Sequence, residues 1–366
     1  MIPGSTNAGP AAAVKGKSNR PIANMRRVAV TGVIVLIGFL GVVLAYLIYP
    51  GKPGRSRVMA FDGFIELPKD GALTVLDYLT LSDHTLFVTN ESSGTLFKIV
   101  LDSTKPAAGI VSEMPGSGAA HGVALLPGAN VAFITRSETN MVDVFDPESL
   151  QQLGSIPVAD DADAILYVPS GMLVYVANGD AKLATLIDSK KRITVGAIPL
   201  PGKPEFPAMD SKTGLLYQNL VDIDSIAAID LGKGSIVGQW SLAPCEGPSG
   251  MAIDSVQRRL FAVCSRNARL VVFDLETHRV ITSLKIGGGP DAVAFDQTLH
   301  RIYSAGQAGK LTVIQQDGPD LYRVLDEIRT HYGAHTLAVD PVSHKVFVAY
   351  ASLFAPPRIA VFSPIL

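Results

Sequence analysis

The sequence predicts an all-β fold: a seven-bladed β-propeller of four-stranded blades, preceded by a single transmembrane α-helix. Three observations favour it, namely a phrase that recurs seven times, a composition rich in turn-forming residues, and one long apolar stretch near the N-terminus. The 366 residues include 34 Gly and 24 Pro, and only 17% of them are charged. Such a composition favours short strands joined by tight turns over long helices.

Residues 1–27 are expected to be a flexible basic tail. Most of this segment consists of Gly, Ala, Pro, Ser and Asn without hydrophobic periodicity. A chain of this kind cannot bury enough apolar surface to offset its conformational entropy.

The apolar stretch 28–49 is predicted to be a transmembrane helix. Its 22 consecutive uncharged positions span about 33 Å as a helix, which matches a hydrocarbon core of about 30 Å. Five Lys or Arg residues precede the stretch and three follow it, a bias that favours a cytoplasmic N-terminus. We therefore expect a single-pass protein of the inner (cytoplasmic) membrane, with the propeller in the periplasm or outside.

Two further points concern this stretch. Gly41 and Ala45 form a small-xxx-small pair, a pattern that packs one membrane helix against another. The alternative is a cleaved signal peptide, which has an apolar stretch of about 7–15 residues and a small-x-small cleavage site. Neither feature is found here, so the anchor is favoured.

After a linker at 50–61, seven repeats occupy 62–366. Each repeat begins with a polar residue and contains four short alternating strands, and the repeats start near residues 77, 121, 163, 205, 249, 291 and 335. A period of 42–44 residues with four strands is typical of a propeller blade. The last repeat lacks its fourth strand, and residues 63–68 resemble the missing outer strand. We expect this N-terminal strand to close the last blade, which removes an exposed sheet edge.

Two phrases carry a resemblance to a known family. They are Phe87-Val88-Thr89-Asn90 and Tyr175-Val176-Ala177-Asn178, and several repeats end their third strand with Asp, at Asp146, Asp188, Asp230 and Asp274. Together with the repeat length, they resemble the YVTN-repeat β-propellers, which are widespread among bacterial secreted and periplasmic proteins. The resemblance implies the seven-bladed fold for about residues 62–366, in a membrane-anchored member of the family.

The residues that open the innermost strands form the candidate site. They should converge on the funnel of the propeller, and in blade order they are Asp77, His121, Asp163, Glu205, Ser249, Asp291 and His335. In a closed ring His335, Asp77 and His121 are consecutive, so they are candidate ligands of a divalent transition metal. The alternative is a hydrated polar rim in which Asp163, Glu205, Ser249 and Asp291 complete a ring without a ligand.

No catalytic motif accompanies this rim. The sequence lacks a GxSxG elbow, an HExxH motif, a phosphate-binding GxxxxGK loop and a dinucleotide fingerprint. We therefore expect no catalytic residue and no cofactor, with a divalent metal in the funnel as the alternative.

Charge distribution indicates the class of partner. The whole chain carries −2 at neutral pH, residues 1–57 carry +8, and the remainder therefore carries −10. An acidic propeller repels nucleic acid and attracts basic protein surfaces. Two functions follow. The first is a non-enzymatic binding or scaffold protein with partners in or beside the membrane, an accessory subunit of, for example, a respiratory or photosynthetic electron-transport assembly. The alternative is a metal-dependent enzyme or small-ligand binder acting at the funnel.

The two cysteines are predicted to form a disulfide. Cys245 lies in the loop before blade 5, and Cys264 ends the second strand of that blade. Antiparallel neighbours bring the start of one strand beside the end of the next, and the expected compartment is oxidising. Two free thiols are the alternative.

Overall fold

The computed structural model describes residues 51–105, 107–353 and 355–365. The predicted tail, the predicted membrane helix and its pair Gly41 and Ala45 lie outside these residues. Within the described part of the chain, no helix has the length and apolar character needed to cross a membrane. A single 3₁₀ turn, Pro169–Gly171, interrupts the strands there.

The strands form seven four-stranded antiparallel sheets, the blades, whose strands we name a to d from the channel outward. Blades 1 and 2 comprise Leu76–Ser82, Thr85–Asn90, Leu96–Leu101 and Gly109–Met114, then Ala120–Leu125, Ala132–Arg136, Met141–Phe145 and Gln152–Pro157. Blades 3 and 4 comprise Ala162–Val168, Leu173–Asn178, Leu183–Asp188 and Ile193–Pro199, then Pro204–Met209, Leu216–Leu220, Ser225–Asp230 and Ser235–Ser241. Blades 5 and 6 comprise Pro248–Asp254, Arg259–Cys264, Arg269–Asp274 and Arg279–Lys285, then Pro290–Asp296, Arg301–Gly306, Lys310–Gly318 and Leu321–Arg329.

Blade 7 combines the two ends of the repeat region. Its strands a to c are Leu337–Val339, Val346–Tyr350 and Arg358–Pro364, and strand d is the N-terminal strand Met59–Glu66. The closing strand was expected at 63–68 after a linker reaching 61. It begins earlier because Met59 is buried against the core of blades 6 and 7 and Phe61 pairs with Phe362. A β-bulge between Phe61 and Gly63, where Asp62 is the extra residue, shifts the register midway along this pair.

The ring is closed all the way round. The innermost strands of successive blades contact one another, including those of blades 7 and 1. A short ribbon, Leu73–Thr74 paired with Ser352–Leu353, adds a second link between the segment that enters blade 1 and a loop of blade 7. Both ends of the repeat region are thereby held within one circular structure.

Apolar side chains form the core as layers between neighbouring blades. Strands b and c are buried on both faces, and Phe97 of blade 1, for example, packs in one cluster with Val361 of blade 7. Strands d are mostly half-buried or exposed, and in Ser235–Ser241 the two classes alternate. Burying a Phe or Val side chain in these layers contributes about 1.5–3 kcal/mol. Each apolar layer holds two neighbouring blades together. The polar residues that open the strands a lie outside these layers and line the central channel.

A disulfide joins Cys245 and Cys264. The sulfurs are 2.08 Å apart and the Cα atoms 5.3 Å apart. Cys264 pairs with Pro248 at the start of strand a, which places the bridge in the loop before blade 5. Both cysteines are buried.

Candidate functional site

Polar side chains line the mouth of the channel, at the point where each strand a begins. In an antiparallel blade the loops before strand a and between strands b and c lie on one face, which we call the channel face. All seven residues expected at the rim lie here. Asp77 and Ser249 are buried, and the other five, His121, Asp163, Glu205, Asp291 and His335, are half-buried.

Three of these residues converge, and we call them the His121 cluster: Asp77, His121 and Asp163. The Nδ1 atom of His121 lies 2.6 Å from Oδ2 of Asp77 and 3.6 Å from Oδ1 of Asp163. Its Nε2 atom lies 2.8 Å from the hydroxyl oxygen of Ser137. One possible ligand atom from each of the three residues lies within 4.8 Å of the others. Two carboxylates and an imidazole at this spacing can bind either a proton or a divalent cation.

The electrostatics of the cluster favour a charged imidazole. Burial by itself lowers the pKa of His121, but the hydrogen bond with Asp77 and the charges of Asp77 and Asp163 outweigh burial and raise this pKa to about 9. At neutral pH His121 is therefore an imidazolium that donates to Asp77 through Nδ1 and to Ser137 through Nε2. A buried cation paired in this way stabilises two neighbouring carboxylates.

The second rim histidine does not join the cluster. Nδ1 of His335 lies 3.1 Å from Oδ2 of Asp291, so Asp163, and not the expected His335, completes the set of possible ligands around His121. Both histidines contact the aspartate 44 residues earlier, which is the rim residue of the preceding blade. This spacing equals one repeat, so the sequence also pairs His335 with Asp291.

The remaining rim carboxyls interact electrostatically across the channel. Burial and the nearby charges of Asp163 and Asp291 raise the pKa of Glu205 to about 9. Burial also raises the pKa of Asp163, to about 7, although the charge of His121 opposes the shift. Ser249 donates its hydroxyl to the carbonyl oxygen of Pro290 at 3.0 Å and belongs to the packing between blades 5 and 6. At neutral pH Glu205 is therefore mostly protonated, and Asp163 is close to its titration midpoint.

An aromatic pair closes the channel directly below the rim. Tyr78 of blade 1 stacks on Phe206 of blade 4, with ring centroids 5.7 Å apart and an interplanar angle of 17°. The equivalent positions of the other blades carry small residues, Gly122, Ala164, Gly250, Ala292 and Thr336. A cavity of about 60 Å³ remains beside the pair, enough for a few water molecules. This closure was not predicted from the sequence. Its signal is that the residue after the rim residue is aromatic in blades 1 and 4 and small in the other five.

Charge is distributed unequally over the two faces. Among the described residues, the loops of the channel face carry nine acidic and four basic side chains, whereas the loops of the opposite face carry eight of each. The rim itself adds little net charge at neutral pH, because Glu205 is mostly protonated there and His121 carries a positive charge. The net negative charge of the loops is therefore confined to one face.

Comparison with known proteins supports the fold. No protein-family model matches the sequence, and no curated protein matches it. Among solved structures, hydrazine synthase from Kuenenia stuttgartiensis aligns with a TM-score of 0.68. The alignment covers 81% of this chain and 99% of that one at 17% sequence identity. At this identity the likeness shows a shared propeller fold.

Proposed function

We propose that this protein is a membrane-anchored, non-enzymatic binding or scaffold protein whose channel face recruits proteins with basic surfaces. In this proposal it is an accessory subunit of a larger membrane complex and works on the periplasmic side. The unequal charge of the two faces carries the proposal. The hydrazine synthase likeness is compatible with a propeller that serves as a subunit of a complex.

One charged face orients a partner before contact is made. Exposed charges act over about 8–10 Å at physiological ionic strength, so a basic surface is drawn to the acidic face while it is still separated by water. The opposite face has balanced loops and exerts no such net attraction. With the Tyr78 and Phe206 rings closing the channel, contact through the loops is favoured over transport through the ring.

The anchor belongs to the same proposal. It places the propeller beside the membrane, where a second membrane protein diffuses in two dimensions and meets it at a raised effective concentration. Protease added to intact spheroplasts should remove the propeller and spare the N-terminal 27 residues. Protection of the propeller would place it on the cytoplasmic side and reject this topology.

Paired charge variants test the recruiting face. Glu138 and Glu246 are exposed on the channel face with no side-chain hydrogen bond or ion pair among the described contacts. Asp83 and Asp320 are exposed on the opposite face, although Asp320 also contacts Arg259. The variants E138Q/E246Q and D83N/D320N remove the same charge from opposite faces.

Full-length protein carrying each pair is purified from native membranes at low and at high salt, with quantitative mass spectrometry of the co-purified proteins. We expect wild type and D83N/D320N to retain the same partner at low salt, and E138Q/E246Q or high salt to reduce its recovery severalfold. Equal recovery with all three proteins at both salt concentrations would show that the charge of the channel face does not recruit the partner.

A second candidate function rests on the His121 cluster. Asp77, His121 and Asp163 provide the nitrogen and oxygen ligands that suit zinc and related divalent metals. A metal must displace the proton of His121, so its affinity should rise with pH between neutrality and about pH 9. Calorimetric titration of the full-length protein with Zn²⁺ tests this, with H121Q as the disabling variant and H335Q as the matched control outside the cluster. Equal zinc binding by wild type and H121Q would exclude the cluster as the metal site.

A further inference from the structure

A small apolar pocket opens on the channel face beside the rim. It has a volume of about 210 Å³ and lies between the segment entering blade 1, the loop from blade 6 to blade 7, and a loop of blade 7. Its apolar lining consists of Leu73, Val75, Tyr332, Ala351 and Leu353. Small-molecule sites usually have about 300–1,000 Å³. A pocket of this size therefore suits one or two side chains better than a whole cofactor.

In the part of the chain that the structure describes, the pocket presents two exposed apolar side chains. Leu73 is 52% exposed and Tyr332 is 54% exposed. Leu73 lies opposite Leu353 in the short ribbon, and residues directly opposite each other in a strand pair project to the same side. Contiguous exposed apolar side chains next to polar residues are typical of interaction sites.

Carboxylates border the pocket on the side of the channel. The backbone N–H of Glu91 donates to the carbonyl oxygen of Val75 at 3.0 Å, which places exposed Glu91 at the pocket edge. His335 also lines the pocket, and its Nδ1 contacts Asp291, whose side chain is 42% exposed. An occupant with an apolar group in the pocket can therefore bring a cationic group to Glu91 and Asp291.

Both acidic and cationic rim residues act on the Glu91 carboxyl at this edge. Burial and the charge of Asp77 raise the pKa of Glu91, although His121 and His335 act against the shift. A cation brought by an occupant would relieve this crowding of carboxylates. Apolar contact and charge complementarity thus coincide at one place on the recruiting face.

We propose that this pocket binds a segment of a partner protein in which an aliphatic or aromatic side chain lies next to a lysine or arginine. The proposal rests on the proposed function and specifies the chemistry of the partner. The apolar side chain fills the space between Leu73 and Tyr332. The neighbouring cation pairs with Glu91 and Asp291. Anchors of this kind, a buried apolar group beside a charge, commonly dominate binding at protein interfaces.

Defined peptides test the two halves of this chemistry. The probes are fluorescein-labelled hexapeptides with alternating Leu and Lys, with alternating Ser and Lys, and with alternating Leu and Ser. Their affinities for the full-length protein in detergent are measured by fluorescence polarisation. We expect the Leu-Lys peptide to bind about tenfold more tightly than either of the others, since one well-placed apolar anchor or charge pair is commonly worth that factor.

Matched variants locate the binding. L73S/Y332S removes the two exposed pocket residues, and I110S/V256S removes two apolar residues that are exposed elsewhere, 76% and 74% respectively. L73S/Y332S should bind the Leu-Lys and Ser-Lys peptides equally, whereas I110S/V256S should keep the tenfold preference. E91Q should weaken both lysine peptides.

The outcomes separate this proposal from the one on which it rests. If wild type binds both lysine peptides equally, or L73S/Y332S keeps the preference for Leu-Lys, the pocket proposal is overturned. Electrostatic recruitment then still stands, provided that salt and E138Q/E246Q weaken the Ser-Lys peptide. If the Leu-Ser peptide binds as tightly as Leu-Lys and salt has no effect, both the cationic half of the pocket proposal and the recruitment by charge are overturned.

Discussion

Replacing His121 by Gln should reduce the stability of the propeller by an amount that depends on pH. The pKa of His121 is about 9 in the folded protein against 6.5 for a free histidine, so the folded state holds this proton more tightly than the unfolded chain does. The stabilisation is fully present below about pH 6.5 and is lost as the pH rises through 9. The shift corresponds to about 3 kcal/mol. His121 is 13% exposed, so solvent screens this interaction only weakly.

The measurement is urea unfolding of the full-length protein in detergent, followed by the fluorescence of Trp240, the single tryptophan of the chain. Wild type and H121Q are compared at pH 6 and pH 9.5. The raised pKa values of Asp163 and Glu205 also make stability fall with pH, and taking the difference between the two proteins removes most of that background. We expect the difference in unfolding free energy to be about 3 kcal/mol larger at pH 6. A difference that is the same at both pH values would refute the charged His121 and Asp77 pair.

Three further predictions concern the frame around the site. The variant C245S/C264S opens a loop with a sequence separation of 19 residues and should lose about 3 kcal/mol of unfolding free energy. Mass spectrometry of an unreduced digest should find the two cysteine peptides joined, and two freely alkylated thiols would contradict the bridge. Arg136 is 2% exposed and donates from Nε to Asp143 at 3.0 Å, so R136A should cost about 1.5–3 kcal/mol in urea unfolding because it removes a charged hydrogen bond, although Asp143 keeps Gln152 and Ser155; a loss below about 1 kcal/mol would contradict that pairing. Y78A removes one ring of the channel closure and should cost about 3 kcal/mol, and unchanged stability would show that the stack adds nothing to the closed ring.

The fold was largely predictable because the repeat period is a local property of the chain. Each repeat places a polar residue at the start of strand a and apolar residues in strands b and c, and this pattern can be read one blade at a time. The strand that was missing from the last repeat identified the N-terminal segment as its partner. The start of that segment was misplaced because the contacts of Met59 and Phe61 are with residues about 300 positions away. Such contacts leave no signal in the neighbouring sequence.

The candidate site likewise has a part that the sequence predicts and a part that depends on the tertiary structure. The sequence by itself determined which seven residues reach the rim, because strand periodicity assigns the residue that opens each strand a. Only the tertiary structure decided that Asp163, and not His335, lies with His121 and Asp77, since a side-chain displacement of a few ångströms selects one neighbour over another. The stacking of Tyr78 on Phe206 and the apolar pocket between Leu73 and Tyr332 also required the closed ring. Both features join blades that are far apart in the chain, and they exist only where the curvature of the ring brings those blades together.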